Sequence, residues 1–311
     1  MIIQMPDQRK KKFPFGRVIA TAILLLIIAV IVYCRVNGNL IGGLHIYEAA
    51  EQSISETASP DSGAPASSSE DYSVIYHDAT YKQILDGFSD LQSTIHLFVP
   101  SDNDQISAVY SEVLFDHPEF FWENGGHISQ RRFPFFTSTY IRVNYLCDPS
   151  ELPAMVQQMD DVIEAVVRQA DQYETAREKA LFVHDYLVEN CTYDEAVYNS
   201  HETESLSYTC YGCLVNHTAV CQGYAEAYKV ILDRLGIPCG LIMGTAVNES
   251  ESGSHAWNYV YLEDAYYMVD VTWDDPVGYS GPCRHDYFCI TEEQMGLDHF
   301  PDTGWPLVKA Q

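Results

Sequence analysis

Basic residues are scarce in this chain. Its 311 residues hold 17 Lys and Arg against 44 Asp and Glu, a formal net charge of −27. Residues 1–35 contain six of the basic residues and one Asp, so the remainder carries 43 acidic against 11 basic residues, a balance of −32. Such a surface repels nucleic acid and anionic lipid and excludes both as partners of the body; it suits a soluble unit in an extracytoplasmic space. A complete disulfide framework is missing as well. Cysteines stand at 34, 147, 191, 210, 213, 221, 239, 283 and 289. Setting aside Cys34 in an apolar segment and Cys221, taken up below, leaves an odd number, so one or two bridges and burial as free thiols both stay open. A hydrophobic content of 47% and 13% aromatics suffice for a core in one large or two small domains.

Long apolar runs occur once, from Val18 to Cys34, between Arg17 and Arg35. At helical rise the run spans roughly 25 Å, a little short of a hydrocarbon core of ~30 Å, and the flanking arginines can snorkel. No Ala-x-Ala site follows, and Tyr33 before Cys34 makes a poor lipoprotein cleavage site, so an uncleaved anchor is expected over a signal peptide. Residues 1–17, with Arg9-Lys-Lys-Lys12, then form a cytoplasmic basic tail, residues 18–34 a single transmembrane helix, and the rest faces outward. Residues 35–71 read as a flexible linker, acidic and rich in Ser, Ala and Pro over 48–71, where apolar periodicity is absent. As a coil, that last stretch would reach ~27 Å.

Residues 72–147 read as an α/β accessory region. Helices are expected at Tyr81–Leu91 and Asp104–Phe115, strands at Ser93–Val99 and Thr137–Leu146, and a break at Asp116-His-Pro118. The aromatic cluster ending at Trp122 fits a packed core better than a sugar platform. The catalytic candidate occupies residues 148–311. It begins with an amphipathic helix over Glu151–Asp171, with Leu152, Met155, Met159, Val162, Val166 and Ala170 on its apolar stripe. A second helix follows the capping box Thr175-Ala-Arg-Glu178 and runs to Glu189, carrying a structural His184. Tyr193–His217 reads as irregular.

Cys221 opens a third helix, whose apolar face is Tyr224, Tyr228, Ile231, Leu232 and Leu235 and which Gly236 and Pro238 end. Free N–H groups and the positive dipole end at a helix N-terminus favour a thiolate and can hold an oxyanion. Cys239–Val247 reads as a strand and Asn248–Ser254 as a loop. His255–Leu262 and Tyr266–Trp273 then form a hairpin about Glu263-Asp264. A two-residue turn there makes His255 and Asp270 diagonal neighbours on one face, a four-residue turn pairs them directly, and a three-residue turn separates them. An aspartate on one ring nitrogen would leave the other facing the thiol.

Ala219-Val-Cys-Gln-Gly-Tyr-Ala-Glu-Ala227, His255-Ala-Trp-Asn258 and Asp270-Val-Thr-Trp-Asp-Asp-Pro276 resemble the three core motifs of the transglutaminase-like superfamily, most strongly over residues 175–290. The resemblance implies an α+β, papain-like core with the nucleophile at a helix N-terminus packed on an antiparallel sheet, here of a membrane-anchored bacterial type. It assigns Cys221 as nucleophile, His255 as general base and acid, and Asp270 as the orienting carboxylate. Neither cofactor nor metal is implied. Members often turn on Asp-Gly where this chain has Glu263-Asp264, and the second oxyanion donor is open, with Tyr193 a candidate. The implied reaction is attack on a carboxamide or peptide carbonyl through a thioester, resolved by water (peptidase or deamidase) or by an amine (cross-linking), with hydrolysis favoured. Substrates would be peptides, proteins or cell-wall material.

Other readings compete with this one. A membrane-tethered binding or scaffold module could keep the fold without turnover. Cys210-x2-Cys213-x3-His217-x3-Cys221 approaches a zinc-knuckle spacing, but each later gap is one residue short. Cys210-Tyr-Gly-Cys213 also has a redox spacing. Asn190, Asn216 and Asn248 begin glycosylation-like triplets.

Overall fold

A computed structural model of the chain describes residues 69–98, 102–133, 137–200, 202, 204–248 and 252–302. The basic tail, the apolar run Val18–Cys34 and the linker up to residue 68 lie outside these residues. Among the described residues no helix is long and apolar enough to cross a membrane. From Tyr76 onward the chain forms one unit.

Helix α1 (Ser69–Ser89) starts inside the expected linker and absorbs the helix expected at Tyr81–Leu91. Strand β1 (Thr94–Leu97) follows, then α2 (Asn103–Asp116), which opens on a capping box between Asp102 and Gln105. Buried Ile106, Val109, Tyr110 and Val113 recur along one face of α2, and the helix stops before His117-Pro118, as the proline demands. Two antiparallel strands, β2 (Glu123–Arg132) and β3 (Thr137–Tyr145), complete a sheet of order β1-β3-β2. The sequence signal misses β2 because Glu-Asn-Gly-Gly-His-Ile-Ser-Gln-Arg-Arg shows no apolar alternation. Its pairing to β3, from His127 opposite Arg142 to Arg132 opposite Thr137, comes from the partner strand. Phe120, Phe121 and Trp122 are buried and meet edge to face, which makes the aromatic cluster core rather than platform.

Helix α3 (Leu152–Ala170) buries Leu152, Met159, Ile163, Val166 and Ala170, with Met155 and Val162 only half-buried at the stripe's margin. Helix α4 (Ala176–Asn190) has the expected capping box on Thr175. The segment read as irregular is instead a series of short elements. They are β4 (Thr192–Tyr193), α5 (Glu195–Ser200), a 3-10 turn at Leu206–Tyr208, α6 (Cys210–Leu214) and β5 (Thr218–Ala219). Each is too brief to leave a periodic trace. Strand β5 pairs in parallel with β4. One apolar core runs from Ile84 and Trp122 through Met159, Leu187 and Ile231 to Val260 and Val271, continuous across residues 147 and 148.

Helix α7 (Cys221–Arg234) crosses this core and buries eleven of its residues, Tyr224, Tyr228, Ile231 and Leu232 among them. It ends where Gly236 takes the left-handed backbone (φ 71°) that favours glycine. Strand β6 (Cys239–Val247) has the bounds read from the sequence. Strand β7 (Ser252–Leu262) begins three residues before His255, and β8 (Ala265–Val269) pairs with it from Leu262 opposite Ala265 to Asn258 opposite Val269. This is the two-residue turn. Glu263 (φ 53°) and Asp264 (φ 61°) both sit in the left-handed region, as a type I′ hairpin requires. Bidentate bonds of 3.0 Å from Arg177 hold the Glu263 carboxylate, and the same guanidinium lies 4.5 Å over the Tyr267 ring.

The second hairpin strand is shorter than expected. It stops at Val269, because Asp270 caps the single turn α8 (Val271–Asp274) and turns the backbone from strand to helix. After α9 (Glu292–Met295), strand β9 (His299–Pro301) pairs with β6 and completes an antiparallel sheet of order β8-β7-β6-β9.

Candidate active site

Cys221 begins α7 directly after β5. Its N-cap, Val220, has an extended backbone and no side chain able to cap the helix, so the first turn keeps its N–H groups for another acceptor. Gly223 explains how this N-terminus packs so tightly. A Cβ there would lie 2.7 Å from the Ser207 carbonyl oxygen, 2.9 Å from the Thr209 carbonyl oxygen and 2.9 Å from the Ala219 Cβ. Asn258 fastens α7 to the sheet, donating from Nδ2 to the carbonyls of Ala225 (3.0 Å) and Gly240 (3.3 Å).

The three residues singled out in the sequence come together. Cys221 lies near enough to the His255 ring to raise its pKa, and that ring bonds Asp270, with Nε2 and Oδ2 2.7 Å apart. Nε2 being occupied, Nδ1 is the nitrogen left for the sulfur. Cys221 keeps 8% of its surface exposed, His255 7% and Asp270 1%. Burial alone would lower the His255 pKa; the charge and hydrogen bond of Asp270, with a smaller contribution from Cys221, raise it to about 10. The imidazolium is therefore the stable form at neutral pH. Burial would raise the Asp270 pKa, yet the charges and hydrogen bonds of His255 and His299 hold it well below the usual carboxylate range.

Asp270 has four donors. Oδ1 accepts from the backbone N–H groups of Thr272 (2.9 Å) and Trp273 (3.2 Å), the cap of α8. Oδ2 accepts from His255 and from His299, whose Nε2 lies 2.9 Å away. Sequence reasoning missed His299. It is fully buried, with Nδ1 2.6 Å from Asp298 Oδ1, and it reaches the site only because β9 joins the far edge of the sheet. Nothing local to Asp298-His299 signals this. Trp273 packs on both rings, 5.8 Å from His255 and 4.4 Å from His299 between centroids.

The remaining aspartates of the third motif have separate tasks. Asp275 accepts from the Tyr224 hydroxyl at 2.7 Å. Asp274, buried, contacts His184 Nε2 at 3.2 Å and accepts from the backbone N–H groups of Asp286 and Tyr287. A cavity of about 610 Å³ opens beside the site, with Tyr193, Tyr198, His255, Trp273 and Val277 among its walls. Burial, and after it the neighbouring Cys221, push the Tyr193 hydroxyl pKa up, so the hydroxyl stays a proton donor.

The zinc-knuckle reading of Cys210 and Cys213 finds no converging ligands in the fold. The Cys210 sulfur is buried, 3.1 Å from the Pro118 carbonyl oxygen and 3.5 Å from the Met159 sulfur, while His217 Nδ1 turns to the Asn190 carbonyl oxygen at 2.9 Å. The knuckle's ligands therefore do not converge. All eight described cysteines are free thiols.

Residues 163–271 match the family model of the Transglutaminase-like superfamily. Cys221, His255 and Asp270 all fall inside that match. Among curated proteins, human kyphoscoliosis peptidase is 24% identical over 166 residues, covering 49% of this chain and 24% of that protein. Mouse kyphoscoliosis peptidase is 30% identical over 104 residues, covering 29% of this chain and 16% of the mouse protein. The chain thus spans a quarter or less of the curated relatives it matches. Among solved structures, a crystal structure of a TGase is 15% identical with a TM-score of 0.35, covering 72% of this chain and 63% of the other. A putative cysteine protease from Cytophaga hutchinsonii is also 15% identical, with a TM-score of 0.31 and coverage of 48% and 62%.

Proposed function

We propose that the transglutaminase-like domain of this chain is a cysteine-dependent enzyme that opens carboxamide or peptide carbonyls through a thioester. One observation carries the reading: a thiol at an uncapped helix N-terminus stands beside an imidazole whose Nε2 a buried carboxylate holds. A lone cysteine before a helix would carry little weight. A cysteine joined to His255 and Asp270 is a nucleophile with its base.

The Cys221 thiolate attacks the carbonyl carbon, and the Cys221 N–H receives the developing oxyanion, with the Tyr193 hydroxyl as second donor. The His255 imidazolium gives its Nδ1 proton to the departing nitrogen, and a thioester remains. His255, now neutral, takes a proton from water or an amine, which attacks the thioester and frees the sulfur. Asp270 stays ionised throughout and keeps the imidazole's Nε2–H fixed. Hydrolysis is favoured, which makes the chain a peptidase or deamidase of peptides, proteins or cell-wall material. Residues 18–34 anchor it, with the catalytic body outside the membrane; protease accessibility of the body on intact cells tests that arrangement.

To test the chemistry, the chain is incubated with labelled glutamine peptides and a labelled primary amine, and ammonia, cleavage and conjugation are followed separately. Ammonia or cleavage that vanishes in Cys221→Ala is the expected result. Conjugation without hydrolysis would make it a cross-linking enzyme, and no turnover with an unreactive Cys221 would leave a binding module.

A further inference from the structure

A second group of chemically active side chains lies apart from Cys221. His184 and Asp185 on α4 meet Cys283 and His285 from the loop between α8 and α9, and one ligating atom from each lies within 4.8 Å of all the others. Asp185 Oδ1 sits 3.0 Å from His184 Nδ1, 2.7 Å from His285 Nε2 and 3.3 Å from Cys283 Sγ. Two imidazoles, a thiol and a carboxylate form a donor set that suits zinc, which takes S, N and O ligands in a closed tetrahedron. Bond lengths of about 2.0–2.3 Å to such ligands give tetrahedral edges of roughly 3.3–3.7 Å, within the span found here.

Two further observations separate this group from a chance polar cluster. The first is the support behind His184. Its ring is fully buried, and its Nε2 meets the buried carboxylate of Asp274 at 3.2 Å, so Nδ1 is the nitrogen turned to the cluster. A carboxylate on the far nitrogen is the usual backing of a metal-bound histidine. Asp274 also accepts from the Asp286 and Tyr287 N–H groups and so steadies the loop that brings Cys283 and His285. The second is the thiol itself. A cysteine is a weak donor, and a hydrogen bond to a carboxylate repays little of what the convergence of four polar groups costs. A shared cation repays it. His285 is exposed, which gives an ion a path in, and the acidic body attracts cations.

We propose that His184, Asp185, Cys283 and His285 bind one Zn²⁺ ion in a structural site, with Cys283 as thiolate and its proton released on binding. All four positions are filled by protein, so the ion has no open place for substrate. Its role is to staple the loop to α4. That loop begins with Asp275, Pro276 and Val277, which line the cavity beside His255. The ion would therefore fix one wall of the candidate substrate cleft, independently of whether Cys221 turns over.

The test uses the full chain, stripped with a chelator and titrated with Co²⁺ and then Zn²⁺. The expected result is one equivalent of Co²⁺ with a thiolate-to-cobalt charge-transfer band and four-coordinate visible bands, displaced by Zn²⁺. Cys221→Ala should keep the band, which assigns it away from the active-site thiol. Cys283→Ser should abolish it, and His285→Ala, at an exposed side chain that does not endanger folding, should weaken binding by roughly 100-fold or more. No band in the wild-type chain overturns the proposal. So does a band that survives Cys283→Ser, or one that disappears in Cys221→Ala.

Discussion

Replacing Asp270 by Asn alters one atom of the site and leaves its shape. The amide oxygen can still accept from Thr272 and Trp273, as Oδ1 does now, so α8 keeps its cap. What changes is the atom between the two imidazoles. An NH₂ group there can only donate, so His255 must present Nε2 as an acceptor and move its proton to Nδ1, the nitrogen facing Cys221. The ring can then no longer take a proton from the thiol. The charge effect points the same way. Asp270 is the main influence lifting the His255 pKa to about 10 against a burial that would lower it, so in the variant the ring pKa shifts down and its second proton is held less tightly. General acid–base catalysis contributes about 10²–10⁴-fold, and the same substitution in a serine-protease triad costs about 10⁴. We expect kcat/KM to fall about 10³-fold, equivalent to about 4 kcal/mol. The assay pairs peptide turnover with the rate of iodoacetamide labelling of Cys221 at pH 7, read by intact mass. Thermal unfolding of the variant serves as the control for folding. A folded Asp270→Asn chain that labels at the wild-type rate would refute the triad. Linkage gives a related sign: the raised His255 pKa contributes stability that is fully present below pH 6.5 and lost as pH rises through about 10, while the depressed Asp270 pKa contributes stability present above about 3.8 and lost on further acidification.

Three further outcomes follow from single residues. Burial raises the Glu226 carboxyl pKa to about 8, although Gln222 and the Cys210 N–H bond it, so ionising it opposes folding. Against Glu226→Gln, the wild-type chain should lose stability as pH rises from about 4.5 through about 8; an equal urea-unfolding difference at pH 5 and pH 8 would remove this account. Asp264→Gly relieves a non-glycine residue at φ 61° and should stabilise the hairpin by about 1 kcal/mol, so a loss of stability on chemical denaturation would contradict the strain reading. Asn258→Ala removes one bond from β7 to α7 and one from β7 to β6 and should cost about 2 kcal/mol and slow Cys221 labelling, since the thiol loses its alignment with the sheet; unchanged labelling would mean that Asn258 only stabilises.

How much of this was legible beforehand varies from residue to residue. The start of α7 at Cys221, the capping box at Thr175, the bounds of β6 and the Glu263-Asp264 turn all follow from patterns a few residues long. Hydrogen bonds within one turn or one strand length fix such features. The length of β8 was misread because Val-Thr-Trp after Asp270 has strand-forming residues, while the aspartate's side chain captures two backbone N–H groups and starts a helical turn instead. Strand β2 was missed because its pairing is supplied by β3.

The order and spacing of Cys221, His255 and Asp270 determined which chemistry the chain could carry, and period-2 geometry reduced their meeting to a choice of turn length. Tertiary structure decided which turn was taken, that His299 would share the Asp270 carboxylate from the far edge of the sheet, and that Cys283 and His285 would face His184. Partners such as these are about thirty to a hundred residues apart in the chain. Their contact depends on how sheet edges and loops pack, and a local pattern carries no record of that.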